Sequence, residues 1–179
     1  MFKHKILFVA SHNGFRSFMA EAFLNHRSGD RFEAESAGFR AGNPDPLAVR
    51  VMREEDISIT REQTKTEFSL YTAGRAFERI VSICDWENNE KSPIYPGHRE
   101  YIDWDMCDPD RVEDEKDRLT AMRINRDQIK ARVLDPLTRT RARPGRSWTW
   151  ASSEAPNGKR RGPFLLDRWA AGIAQISAR

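Results

Sequence analysis

The sequence is poor in cysteine and lacks a long apolar run. Its 179 residues include two cysteines, Cys84 and Cys107, which are too few for a disulfide framework. No stretch approaches the roughly 20 apolar residues that a membrane span requires, and residues 1–5 lead into an apolar run without the pattern of a secretory signal. No internal repeat is visible. These absences favour a cytoplasmic protein with no membrane segment, and the length allows one sizeable core.

The first three quarters of the chain have a net negative charge, and the last quarter has a net positive charge. Residues 1–135 carry 21 Lys and Arg against 25 Asp and Glu, and residues 136–179 carry 9 against 2, so net charges of −4 and +7 give the total of +3. We therefore expect one domain over 1–135 and a basic extension over 136–179 that is disordered or loosely docked. Contact of this extension with nucleic acid is the less favoured alternative.

Short apolar runs alternate with helical patterns along the first 135 residues. This alternation predicts an α/β fold with a four-stranded parallel sheet flanked by helices on both faces. Ligands of such sheets bind at the carboxyl ends of the strands. The predicted strands lie near 5–9, 32–36, 79–84 and 101–104, and the longest predicted helix spans 112–134.

The segment between the first predicted strand and the first predicted helix has the composition of an anion-binding loop. Asn13 and Gly14 readily adopt positive φ, so successive backbone N–H groups can point at one ligand. Arg16 adds a planar guanidinium that can donate two parallel hydrogen bonds to a tetrahedral oxyanion. The predicted oxyanion-binding residues are Ser11, His12, Asn13, Gly14, Phe15 and Arg16.

The same segment, followed by Met-Ala-Glu-Ala-Phe at 19–23, resembles the start of low-molecular-weight protein tyrosine phosphatases and of the thioredoxin-coupled arsenate reductases that share their fold. The resemblance extends over about residues 5–134 and implies a three-layer sandwich of the phosphatase type. In that family the loop reads Cys, five residues, Arg and Ser. Arg16 and Ser17 match this pattern, and Ala10 stands at the position of the nucleophilic cysteine.

The alanine at position 10 bears directly on activity. A thiolate attacks phosphorus or arsenic in this family, whereas a methyl group has no atom that can do so. Loss of a nucleophile typically costs on the order of 10⁶ in rate. Ser11 is the nearest hydroxyl, but it has no obvious base and its direction in the loop differs. Phe15 and Phe18 also depart from the family's usual Cys and Pro.

Three further positions acquire expected roles from the resemblance. Cys84 matches a redox cysteine of the arsenate reductases, while the position of its partner cysteine falls on Ser92; the alternative is a small buried residue at a strand end. Asp108 matches the general acid of the phosphatases, with a turn that caps the next helix as the alternative. Lys65 falls in a Ser/Thr-Lys element near the loop and is either an oxyanion contact or a solvated lysine.

Three functions remain open at this point. The chain is an inactive relative that binds an oxyanion, a catalytically disabled copy of an enzyme produced by degeneration or by engineering, or an active arsenate reductase or phosphatase with an atypical nucleophile. Several altered positions favour the first, a natural divergent paralogue. We expect no metal and no cofactor. The expected ligand is phosphate, sulfate, arsenate or a phosphorylated protein.

Overall fold

The computed structural model has one parallel sheet with helices packed on it. Its strands follow the order β2-β1-β3-β4, and each neighbouring pair is parallel. The strands are β1 His4–His12, β2 Phe32–Arg40, β3 Arg79–Ser82 and β4 Glu100–Asp103. The helices are α1 Arg16–Ser28, α2 Pro46–Arg53, α3 Glu67–Thr72 and α4 Glu115–Leu134. The structure describes residues 2–12, 14–40, 42–43, 45–59, 65–83, 95, 97–104, 106, 108–109 and 112–134.

The predicted α/β fold with a four-stranded parallel sheet is confirmed. Side chains of β1 alternate between two apolar clusters, because successive side chains of a strand point to opposite faces. Ile6 and Phe8 belong to a cluster with residues of α1, α2 and α4, and Leu7 and Val9 belong to one with Leu70 of α3. The sheet is therefore covered by helices on both faces, which fits the apolar character of β1.

Local side-chain chemistry sets where two of the helices begin. The Asp45 carboxylate accepts a hydrogen bond from the N–H of Leu47 at 2.7 Å, and Pro46 occupies the first helical position of α2. The Asp114 carboxylate accepts hydrogen bonds from the N–H groups of Lys116 and Asp117, at 2.9 and 3.1 Å. Because of this cap α4 begins at Glu115, three residues later than predicted.

The two strands next to the predicted loop are longer than their sequence patterns indicate. Strand β1 continues from Val9 to His12, where its partner in the register is Arg40 of β2. Residues 10–12, expected in the loop, are therefore strand residues. The ladder between β1 and β2 is a long-range feature, and apolar periodicity along one segment does not reveal its length.

The exposed edge of β2 is partly closed by side-chain and loop contacts. The Asn25 amide of α1 donates to the carbonyl of Ala34 at 3.0 Å and accepts from its N–H at 2.9 Å. These two hydrogen bonds replace those that a neighbouring strand would make with Ala34. At the other end of β2, the N–H of Gly38 donates to the carbonyl of Lys65 at 3.0 Å. These contacts tie α1 and the segment before α3 to the edge of the sheet.

Several predicted features lie outside the described residues: Asn13, Cys84, Ser92 and the extension over 136–179. Among the described residues, none of the helices is both long and apolar enough to cross a membrane. Within the same part of the chain, no group of three or more His, Cys, Asp or Glu side chains is placed to hold a metal ion.

Candidate functional site

The candidate site lies where β1 passes into α1, at the carboxyl edge of the sheet. Ala10 is a buried strand residue opposite Gly38, with 1% of its surface exposed. Ser11 follows it in the strand and is partly buried, and the backbone of His12 completes β1. Of the predicted oxyanion-binding residues, Ser11 and His12 thus have their backbones in a strand and do not form a free loop.

Gly14 and Phe15 make the short connection from this strand to the helix. The carbonyl of Gly14 accepts a hydrogen bond from the N–H of Asp45 at 2.9 Å, which fixes the connection to the start of α2. Phe15 is the N-cap residue of α1 and provides no side-chain hydrogen bond to the helix. The first turn of α1 therefore has no side-chain cap, and its N–H groups carry the positive end of the helix dipole.

The aromatic residues of this segment belong to the core. Phe15 and Phe18 are 6% and 9% exposed and lie in the same apolar cluster as Phe8 and Met19. Phe15 also lies near the guanidinium of Arg16, whose central carbon is 5.3 Å from the centre of the ring. The two phenylalanines therefore anchor the start of α1 in the core and pack beside the arginine.

Arg16 is the central polar group of the site. Its side chain is 4% exposed. Nη1 donates to the carbonyl of Met106 at 3.2 Å, and Nη2 donates to Oδ2 of Asp108 at 2.8 Å. Ser17, the next residue of α1, is completely buried. The structure thus brings together two of the predicted catalytic residues, Arg16 and Asp108, which are 92 positions apart in the sequence.

Asp108 reaches the arginine from the segment that follows β4. The N–H of Trp104 donates to the carbonyl of Ser82 at 2.8 Å, and the Trp104 ring packs against Phe8 with 5.7 Å between ring centres. Met106 is buried beyond it, and the Asp108 side chain is 22% exposed. The cap of α4 is Asp114, and Asp108 forms an ion pair with Arg16.

Lys65 contributes to a separate polar cluster on β2. Its Nζ lies 3.1 Å from Oε2 of Glu35, and 44% of its side chain is exposed. Burial alone would raise the pKa of Glu35, but hydrogen bonds from Arg75 and Lys65 outweigh it and lower that pKa. On the neighbouring helix, burial raises the pKa of Glu21, whose carboxylate accepts a hydrogen bond from the Ser36 hydroxyl. Lys65 is therefore partly exposed to solvent and pairs with a carboxylate on β2.

Sequence reasoning missed two groups that position the site. The carbonyl of Met106 holds one side of the Arg16 guanidinium, and no side-chain pattern marks such a backbone contact. Asp45 holds Gly14 through its backbone and also binds Arg118 of α4 through its carboxylate. The Asp-Pro pair at 45–46 was a signal for Asp45, because Asp before Pro at a helix start is a typical cap. Its contact with the loop depends on tertiary structure.

Comparison with known proteins identifies the family. The family model described as low molecular weight phosphotyrosine protein phosphatase matches residues 5–133. An arsenate reductase of Shouchella clausii is 34% identical over 134 residues, covering 74% of this chain and 94% of that protein. An arsenate reductase of Oceanobacillus iheyensis is 31% identical over 134 residues, with the same two coverages.

Solved structures agree with this assignment at the level of the fold. A structure described as an arsenate reductase in the phosphate binding state has a TM-score of 0.61 and 24% identity, and the match covers 75% of this chain and 96% of that one. An arsenate reductase in the oxidized state has a TM-score of 0.59 and 26% identity, covering 72% of this chain and 92% of that one. The chain therefore belongs to the low molecular weight phosphotyrosine protein phosphatase family, and it is similar to arsenate reductases over its first three quarters.

Proposed function

We propose that this chain binds tetrahedral oxyanions such as phosphate or arsenate and does not carry out cysteine-dependent turnover. The observation that carries the proposal is the pairing of a retained Arg16, buried and held at the start of α1, with an alanine at position 10. The guanidinium can bind an anion. The methyl group of Ala10 cannot attack one.

Three features of the described residues support binding. A guanidinium has five N–H donors, and Arg16 uses one from each terminal nitrogen on Met106 and Asp108. The first turn of α1, which contains Arg16, has no side-chain cap, so its dipole is available to a negative charge. Burial strengthens such charge-assisted hydrogen bonds, because the local dielectric constant is low. A similar protein has been described in a phosphate-binding state.

The absence of a nucleophile supports the second half of the proposal. Removal of a thiolate also takes away a negative charge that would repel an oxyanion, so binding can outlast catalysis. Ser11 is a poor substitute, because adjacent residues of a strand point to opposite faces, and its hydroxyl therefore points away from where the Ala10 side chain points. We also propose that the protein is cytoplasmic and consists of an oxyanion-binding domain over 1–135 and a separate basic extension over 136–179.

The proposal is tested by titrating phosphate into the full-length protein in a calorimeter, at constant ionic strength. We expect weak binding, in the millimolar range or tighter, and a loss of affinity of at least about tenfold in Arg16→Ala, because a charge-assisted hydrogen bond is removed. Arg123→Ala is the matched control: it removes one arginine from α4, where Arg123 binds Glu54. The control should bind phosphate as the parent does.

Two results would contradict the proposal. If the parent shows no heat of binding at millimolar phosphate, or if Arg16→Ala binds as well as the parent, then Arg16 serves the architecture of the domain alone. If the parent hydrolyses an aryl phosphate and Ser11→Ala abolishes that activity, the chain is an enzyme with an atypical nucleophile.

A further inference from the structure

Arg16, which we propose binds the oxyanion, already forms an ion pair with a carboxylate. Oδ2 of Asp108 lies 2.8 Å from Nη2 of Arg16. Two other described neighbours of the guanidinium, Met106 and Phe15, are 2% and 6% exposed, whereas the Asp108 side chain is 22% exposed. Asp108 is therefore more exposed than either of them and is the one of the three that solvent reaches most easily.

Arg16 has little freedom to leave this carboxylate. Its Nη1 is held by the carbonyl of Met106, its guanidinium stacks near the Phe15 ring, and the side chain is almost completely buried. An anion that binds the remaining donors of Arg16 must therefore tolerate a carboxylate on the same guanidinium.

Geometry brings the ligand and the carboxylate into contact. Two oxygens that accept hydrogen bonds from one guanidinium nitrogen, on its two N–H directions, lie about 5 Å from each other. Neighbouring oxygens of one tetrahedral ion are closer together than that, so a second oxygen of the bound ion can reach hydrogen-bonding distance of Asp108. Two bare anionic oxygens at that distance repel each other. A proton on the ligand oxygen replaces the repulsion with a charge-assisted hydrogen bond.

We propose that Asp108 makes this site selective for oxyanions that carry a proton at neutral pH, phosphate and arsenate, against sulfate, which carries none. The inference rests on the proposed function and assigns Asp108 a part in ligand choice that is separate from proton transfer to a leaving group.

A simpler effect of Asp108 must be distinguished from this one. If the carboxylate only competes with ligands for Arg16, its removal strengthens the binding of every anion by a similar factor. If Asp108 selects for a proton, its removal strengthens sulfate and weakens or leaves unchanged phosphate and arsenate, so that the ratio of the affinities changes.

The test measures phosphate and sulfate affinities of the full-length parent, Asp108→Asn, Asp108→Ala and Glu54→Gln by calorimetry at matched ionic strength. Glu54→Gln is the matched control, since Glu54 is another arginine-bound carboxylate, and its partners are Arg123 and Arg126 of α4. We expect the parent to prefer phosphate by at least about tenfold, the value of one charge-assisted hydrogen bond. Both substitutions at position 108 should reduce this preference to near unity, and the control should keep it.

Each remaining outcome overturns a specific statement. Equal binding of the two anions by the parent, or a preference that persists in both variants at position 108, refutes selection by Asp108 while leaving oxyanion binding intact. A similar gain for both anions in these variants shows plain competition and also refutes selection. Failure of the parent and of Asp108→Asn to bind either anion refutes the proposed function itself.

Discussion

Two buried arginines of this protein make similar contacts with different consequences. Arg16 of α1 and Arg126 of α4 are 3% and 8% exposed, and each donates to a backbone carbonyl of a distant segment, at Met106 and Val51. Arg16 has one carboxylate partner among the described residues, which is Asp108. Arg126 has three, and they are Glu54, Glu55 and Asp127.

The number of carboxylates decides what each arginine can do. Burial alone would lower the pKa of Arg126, but hydrogen bonds from it to Asp127 and Glu54 outweigh that and raise the pKa. Arg126 contacts three carboxylates, two of which it shares with Arg123 and Lys130, so the group joins α2 to α4 and attracts an anionic ligand less than Arg16 does. Arg16 is balanced by a single, more exposed carboxylate and sits at an uncapped helix start. The two arginines are both buried, and the number of carboxylates around them distinguishes Arg126, which joins two helices, from Arg16, which we propose binds a ligand.

Restoring a nucleophile beside Arg16 should have the largest effect. We expect Ala10→Cys to produce measurable turnover of a small aryl phosphate where the parent shows none, since a nucleophile is worth on the order of 10⁶ in rate. Asp108→Asn in that background should lower the rate by about 10²-fold or more, the usual contribution of a general acid. A steady-state assay of released phenol measures both.

No turnover above the parent in Ala10→Cys would show that the strand geometry through His12 does not suit attack. Thioredoxin-coupled arsenate reduction should not return with this single change, because the resemblance also requires a cysteine at Ser92 beside Cys84. The double variant Ala10→Cys, Ser92→Cys is therefore the one to assay with thioredoxin and arsenate.

Removing Arg126 should affect stability and leave anion binding intact. We expect Arg126→Ala to lower the free energy of unfolding by about 2 kcal/mol, because a buried hydrogen-bonded charge is lost between α2 and α4. Arg123→Ala, which removes a half-exposed partner of the same Glu54, should cost less than about 1 kcal/mol. Urea unfolding measures both, and phosphate titration of Arg126→Ala should match the parent. A clear loss of phosphate affinity in that variant would contradict the division of the two arginines.

The smallest expected effect is the pH dependence contributed by Glu54. Hydrogen bonds from Arg123, opposed by slight desolvation, and then from Arg126 lower the pKa of this carboxyl from 4.5 to about 2. Because the folded state holds the proton less tightly, the contribution of Glu54 to stability is complete above pH 4.5 and is lost as the pH falls towards 2. Its size is below about 1 kcal/mol, since the Glu54 pairs are partly exposed and screened by solvent.

Urea unfolding of the parent and of Glu54→Gln at several pH values between 2 and 7 checks this prediction. The difference between the two proteins should shrink as the pH is lowered. Parallel profiles over the whole range would mean that Glu54 contributes no pH-dependent stability.

Much of the fold was readable because its signals are local. The apolar run before the loop, the Asp-Pro start of α2 and the long amphipathic pattern of α4 each report on neighbouring residues, and the structure confirms the elements they predict. Strand ends were less readable. The continuation of β1 to His12 depends on pairing with Arg40 of β2, and no feature of either segment alone shows where that pairing stops.

For the candidate site, the sequence by itself determined the chemistry that is available: an alanine at position 10, an arginine and a serine at 16 and 17, and a carboxylate at 108. Only the tertiary structure decided that the arginine binds that carboxylate and the carbonyl of Met106. Residue type sets charge and donor geometry, which are properties of a side chain. Which charges meet depends on β1 and β4 ending at the same edge of the sheet, a property of the whole parallel fold.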